Sequence, residues 1–177
     1  MLEVAPDLLG CTLSIGGVTG LIVETEAYHQ SEPSCHAFRG PTPRARVMFD
    51  EPGTAYIYRS YGIHTLLNIV VEPAGIGAAV LIRALQPMGG LDAMQQRRST
   101  EDPLNLCSGP GKLTQALGVT LEHNETSVLG DGPLTALRRE AEPMPVAVGT
   151  RIGISSAQEL PWRFAIGGSR YMSKPLI

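Results

Sequence analysis

Leu13-Ser14-Ile15-Gly16-Gly17-Val18-Thr19-Gly20-Leu21-Ile22-Val23-Glu24-Thr25-Glu26-Ala27-Tyr28 is the segment from which the architecture can be read outward. Two runs rich in aliphatic and β-branched residues, 8–15 and 18–28, flank a glycine pair that can supply the positive φ values of a tight turn, so the segment reads as a β-hairpin. Downstream, residues 54–58, 65–71, 78–85, 146–155 and 162–166 have the same β-branched, aromatic and aliphatic character and read as further strands. Helices are fewer. Residues 91–98 form an amphipathic run, and Ser108 is read as the cap of a helix through 112–117 that Gly118 ends. Residues 29–53 and 99–107 read as loops, and 121–129 as an irregular segment or a short helical turn. With 20 glycines and 14 prolines spread along the chain, short elements joined by tight turns are favoured over long bundles. Strands and helices do not alternate as a parallel sheet requires. The fold class is therefore α+β: a single domain over 1–177 with a curved antiparallel or mixed sheet, a protruding hairpin and a few short helices.

The net charge of −3 hides an asymmetry. Residues 36–98 carry seven arginines against four acids, whereas 101–142 carry seven acids against three cations. One part of the surface can face phosphates while another stays clear of them. Arginine outnumbers lysine twelve to two, and the guanidinium fork suits phosphate recognition. Three cysteines at irregular spacing make no disulfide framework, and the most apolar stretch, 76–85, is short and contains Arg83. A soluble cytoplasmic protein with no membrane contact is expected, and a monomer.

Three constellations carry chemistry. Along a strand, the period of two puts Glu24, Glu26 and Tyr28 on one face, where a carboxylate can activate water beside a ring on which a flat substrate stacks. Pointed at solvent, the same face means nothing. Six of the nine aromatic residues lie between 28 and 61, interleaved with Arg39, Arg44, Arg46 and Arg59. That mixture suits unstacked bases and a phosphate backbone, although the rings can equally be the aromatic part of a core. Tyr61-Gly62 sits at a turn tip, from which a ring can wedge into a base stack. Third, Arg83 interrupts the apolar run Ala79-Val80-Leu81-Ile82 and needs a carboxylate partner, for which Glu24 and Glu26 are the candidates. Gly109-Pro110-Gly111-Lys112 fails as a phosphate loop because Leu106 and Leu113 stand where Gly and Ser or Thr are required. The histidines and cysteines show no zinc spacing, so no metal site is expected.

Many blocks in one order resemble the alkyladenine DNA glycosylase family, the mammalian-type 3-methyladenine DNA glycosylases, as a bacterial member would. They are Asp7-Leu8-Leu9-Gly10, Val23-Glu24-Thr25-Glu26-Ala27-Tyr28, Pro43-Arg44, Met48-Phe49, Pro52-Gly53-Thr54, Tyr56-Ile57-Tyr58, Tyr61-Gly62, Asn68, Leu81-Ile82-Arg83-Ala84-Leu85, Leu106-Cys107-Ser108-Gly109-Pro110, Lys112-Leu113 and Arg163-Phe164. The resemblance implies that Glu26 is the general base, with Glu24 in support, and that Tyr28, His36 and Tyr58 enclose a purine flipped out of double-stranded DNA. It further implies that Tyr61 fills the vacated space, that Asn68 excludes guanine by its exocyclic amine, that Arg83 lies beside the water and that the main-chain carbonyl of Ile152 helps to hold it. Arg44, Arg46 and Arg59 are the candidates for the DNA backbone.

The implied activity is base-excision repair of alkylated or deaminated purines such as 3-methyladenine, hypoxanthine and ethenoadenine, without a cofactor. Ring-alkylated purines are already good leaving groups, so water and an oxocarbenium-like sugar are what need stabilising. Hypoxanthine would also need a general acid, which no residue identifies. No lysine stands as an amine nucleophile, which implies a monofunctional enzyme. The alternatives from other classes are a non-catalytic nucleic-acid binding module, which has no need of Glu26, and a nucleoside or nucleotide N-glycosidase, which has no need of Tyr61.

Overall fold

A computed structural model describes residues 1–137 and 144–176. The hairpin forms as expected. Strands β1 (Thr12–Ile15) and β2 (Val18–His29) pair antiparallel, and Gly16 and Gly17 turn the chain with φ of 53° and 80°. A side chain at either position would be strained, which is why two glycines stand there. The first run is shorter than its composition suggests. Val4–Asp7 winds into a short helix, α1, so the strand begins at Thr12 rather than at Leu8.

Strands β3 (Ala55–Ser60), β4 (His64–Val70) and β5 (Ala78–Gly89) follow. β6 (Leu134–Leu137), β7 (Val146–Gly149) and β8 (Arg163–Ile166) complete one antiparallel sheet in the order β3-β4-β5-β2-β1-β6. The long strand β2 is shared: β1 covers its edge at 18–21, and β8 takes over the same edge at 24–26 with β7 outside it. The strand expected over 146–155 ends at Gly149, and the chain then leaves the sheet. β6, a four-residue edge strand, was not foreseen. The acidic segment read across 101–142 ends partly outside the described residues.

Helix α2 (Leu91–Arg98) has the expected bounds. Helix α3 (Pro103–Leu106) lies in a region read as loop, where Asp102 accepts from the Leu104 N–H and Pro103 fills the first turn. Helix α4 (Pro110–Leu117) starts before the expected 112 and ends at Gly118, whose φ of 81° terminates it. Ser108 does not cap it: Gly109 holds the cap position, and the Ser108 hydroxyl accepts instead from Lys112. Two 3₁₀ turns, His36–Arg39 and Arg46–Phe49, interrupt the loop read over 29–53, and a third, Leu121–His123, forms in the segment read as irregular.

The sheet has two unlike faces. One buries Ile57, Leu67, Val80, Ile82 and Leu85 against Leu113 and Leu117 of α4 and Met94 of α2, the main apolar core. At about 25 cal/mol per Å², burying such side chains is what holds the molecule together. The other face carries Tyr56, Val70 and Ala79, with Tyr28 and Tyr58 packed beside them and the 3₁₀ turns covering part of it. Strand period two separates the sets: Ala55 and Ile57 go to the main core, while Tyr56 and Tyr58 go to the opposite face.

Candidate active site

Strand register alone assembles the site. Tyr56 pairs with Asn68, Asn68 with Leu81, Leu81 with Glu26, and Glu26 with Arg163, so one cross-strand row runs over β3, β4, β5, β2 and β8. Directly opposed residues share a face, and this row lies on the face away from the main core. Register shifts in the β2–β5 pairing at Glu24 bring Arg83 of β5 against both glutamates of β2.

Glu26 is fully buried. Its Oε2 accepts from the Tyr28 hydroxyl at 2.9 Å and from Arg83 Nη1 at 3.2 Å, and its Oε1 accepts from the Ile152 backbone N–H at 2.7 Å. Glu24 binds Arg83 Nε at 3.2 Å, Arg163 Nε at 2.8 Å, and both the backbone N–H and the hydroxyl of Ser173. Both glutamates proposed as partners of Arg83 are therefore its partners. Glu24, Glu26, Arg83 and Arg163 balance in charge, which a buried group of this size requires. Burial pushes the Glu26 carboxyl above the usual carboxylate range, against the opposing pull of Arg83, the Ile152 N–H and the Tyr28 hydroxyl. Burial and the adjacent Glu26 push the Tyr28 phenol up as well, so it stays protonated and donates.

Above this cluster lies an open cleft of about 1010 Å³, at the upper limit of the range for a small-molecule site. Tyr28, Arg83 and Ile152, the groups that hydrogen-bond Glu26, line it together with His36, Tyr58 and Asn68. The structure thus gathers these predicted residues around one opening. Glu26 itself sits just behind the wall that its partners form. The His36 and Tyr58 rings meet edge to face at 4.7 Å, and Tyr56 lies 5.3 Å from Tyr58. The Tyr56 hydroxyl is 2.8 Å from His36 Nδ1, and burial with Arg44 nearby lowers the His36 pKa to about 4, leaving the imidazole neutral at ordinary pH. Asn68 is buried, and its Nδ2 donates to the Tyr56 carbonyl at 3.0 Å, which fixes the side chain in the wall.

The rim holds Tyr61, Arg59, Lys112 and the first residues of α4. Tyr61 is 89% exposed at the tip of the β3–β4 hairpin, with φ of 51°. Arg44 also lines the cleft, its guanidinium 4.8 Å above the Tyr58 ring. Arg46, named for the DNA backbone, pairs with Glu125 at 2.8 Å and lies outside the cleft wall, because the 3₁₀ turn over Arg46–Phe49 directs Val47 and Met48 inward and leaves Arg46 exposed. Ile152 makes a contact that the resemblance did not name, its N–H donating to Glu26.

Sequence reasoning missed Arg151, Glu32 and Ser173 and gave Arg163 no role. Arg151 and Arg163 are buried, each beside apolar residues in the chain. A cation among apolar neighbours, the feature that marks Arg83, marks both of them too.

Residues 1–170 match the family model described as methylpurine-DNA glycosylase. A protein of Bradyrhizobium diazoefficiens with the printed name "Putative 3-methyladenine DNA glycosylase" is 56% identical over 173 residues, 98% of this chain and 86% of the relative. Proteins of the same name from Nitrosospira multiformis and Methanoculleus marisnigri are each 53% identical, over 98% and 97% of this chain and 89% and 92% of theirs. The chain belongs to the methylpurine-DNA glycosylase family. It is a monofunctional DNA glycosylase of base excision repair, as the resemblance implied.

Proposed function

We propose that the cleft receives an alkylated or deaminated purine flipped from double-stranded DNA and that Glu26 activates the water that displaces it. The observation that carries the reading is the placement of Glu26 directly behind Tyr28, Arg83 and Ile152, three groups that line a cleft wide enough for a purine. Tyr28, His36 and Tyr58 enclose the base, and their rings supply stacking and edge contacts. Asn68, held by the Tyr56 carbonyl, stands where guanine's exocyclic amine meets it. A carboxylate offers about four acceptor positions, and Oε2 already has two donors while Oε1 has one. The attacking water therefore takes the free position on Oε1, entering from the cleft when one of the groups that cover the fully buried carboxylate moves aside. A raised carboxyl pKa makes Glu26 a stronger base than an exposed glutamate. As the bond breaks, the ionised carboxylate also stabilises positive charge growing on the sugar.

Tyr61 occupies the gap left by the extruded nucleotide, while Arg44 and Arg59 meet the backbone. The enzyme works as a monomer in the cytoplasm. The test is Glu26→Gln, with base release from a lesion-bearing duplex measured by mass spectrometry of the freed base. Release falls at least about a hundredfold, within the range for loss of a general base, and duplex binding persists. Release at the normal rate would remove Glu26 from the mechanism.

A further inference from the structure

We infer that Arg151 is a positioning residue for Glu26, its guanidinium fastening the segment that carries Ile152 to strand β2 so that the Ile152 N–H meets the carboxylate; the inference rests on the reading of Glu26 as the base. Arg151 is buried, yet it is not part of the cleft wall, whereas its neighbour Ile152 is. Its fork binds Glu32 at both oxygens, Nη1 to Oε1 at 2.7 Å and Nη2 to Oε2 at 3.1 Å. Nη1 also donates to the Ala27 carbonyl at 3.1 Å, and Nη2 to the Ala157 carbonyl at 3.3 Å. The guanidinium lies 4.7 Å from the Tyr28 ring centroid and 5.1 Å from that of Trp162. It is thus tied to residue 27, one peptide from Glu26, and is itself one peptide from Ile152.

Two features argue that this cluster serves geometry before stability. A buried ion pair repays little of its own desolvation. Moreover, Arg151 Nε is buried without a hydrogen-bond partner, a cost the fold accepts while the Nη groups make their contacts. A lysine could supply charge but not a planar fork reaching Glu32, Ala27 and Ala157 at once. The Glu32 end extends the link toward the cleft, since Glu32 Oε2 accepts from the Ser34 N–H and the Ser34 hydroxyl donates to the Ser156 carbonyl. The wall at 33–36 and the wall at 152–156 are thereby held in one frame.

Glu26 is faced by Glu24 and Tyr28 from its own strand, Arg83 from β5, Arg163 directly across on β8, Tyr58 from β3, and the Ile152 N–H. Arg151 reaches two of these, the Ile152 N–H through the chain and the Tyr28 ring by direct contact, and Glu32→Gln loosens the first while leaving the guanidinium in place for the second. Arg151→Ala, Arg151→Lys and Glu32→Gln in the full chain are compared by single-turnover base release against pH, by affinity for the lesion duplex, and by NMR titration of the Glu26 carboxyl. In Arg151→Ala the acid limb moves up by about one pH unit, as loss of one charge-assisted hydrogen bond requires. Release below the limb is then about tenfold slower, while affinity is unchanged. Arg151→Lys restores part of the shift, and Glu32→Gln moves it in the same direction, so the test survives if the alanine variant does not fold. An acid limb and a Glu26 titration at the wild-type position in the folded variants overturn the inference. If Glu26→Gln still releases base, the reading of Glu26 as base falls instead, and the carboxyl titration still decides whether Arg151 positions it.

Discussion

Glu26 has no solvent contact, so its ionised form depends on the Tyr28 hydroxyl, Arg83 and the Ile152 N–H standing in for water. Burial outweighs these donors, and the folded carboxyl titrates above its unfolded counterpart. A base must be ionised, so activity falls as pH drops through that raised value, placing the acid limb above the ordinary glutamate range. His36 does not supply this limb, because its pKa is lowered to about 4. The stability consequence has the opposite sense. A carboxyl with a raised folded pKa contributes fully below its unfolded pKa, and the contribution is lost as pH rises through the folded value. Glu26→Gln does not titrate. Its melting temperature relative to wild type should therefore climb as pH is raised from the unfolded carboxylate range through the limb seen in activity. Thermal melts of both proteins across that range check this, and a difference that stays flat would mean that Glu26 titrates alike in both states.

At the level of elements, the β3–β4 hairpin trades stability for its exposed ring. Tyr61 and Gly62 occupy the centre of the turn with φ of 51° and 70°, a conformation that L side chains disfavour by about 1–2 kcal/mol. Tyr61→Gly relieves that strain while Tyr61→Ala keeps it. The glycine variant should thus be the more stable by about 1 kcal/mol, less the cost of glycine's own chain entropy. Both lose the wedge, so both should excise more slowly from duplexes than wild type, with single-stranded substrate less affected. Urea unfolding and the two excision assays decide: equal stability removes the strain, and unimpaired duplex excision removes the wedge. Turn chemistry of this kind is local, which is why both hairpins were legible from Gly16-Gly17 and Tyr61-Gly62 alone. The face shared by Glu24, Glu26 and Tyr28 was legible for the same reason, being set by strand period. What was not legible depends on residues distant in the chain. β6 exists because β1 has a free edge to pair, Arg151 reaches Glu32 across the fold, and Ser173 meets Glu24 from the C-terminal segment. None of these pairings is specified within a short window of sequence, although the apolar neighbours of Arg151 do mark it locally as a buried cation.

Across the whole molecule, the net charge of −3 means that DNA is not drawn in by a general field. Attraction must come from cations local to the cleft, and those in its wall other than buried Arg83 are Arg44, Arg59 and Lys112. With about three phosphates neutralised, the log–log salt slope for undamaged duplex should be about −2.7, so raising salt from about 50 to 200 mM weakens binding roughly 40-fold. The structure also divides the arginines that composition alone treated alike. Arg59→Ala should lower the slope by about one without changing which lesions are released. Arg46→Ala should leave it unchanged, since that side chain is engaged by Glu125 away from the cleft. Arg44→Ala should do more than lower the slope, because its guanidinium lies on Tyr58 and its loss disturbs the wall against which the base packs. Titrations of duplex binding at several salt concentrations, with each variant beside the parent, separate the three. A slope lowered equally by Arg46→Ala and Arg59→Ala would mean that the duplex covers a surface extending well beyond this cleft.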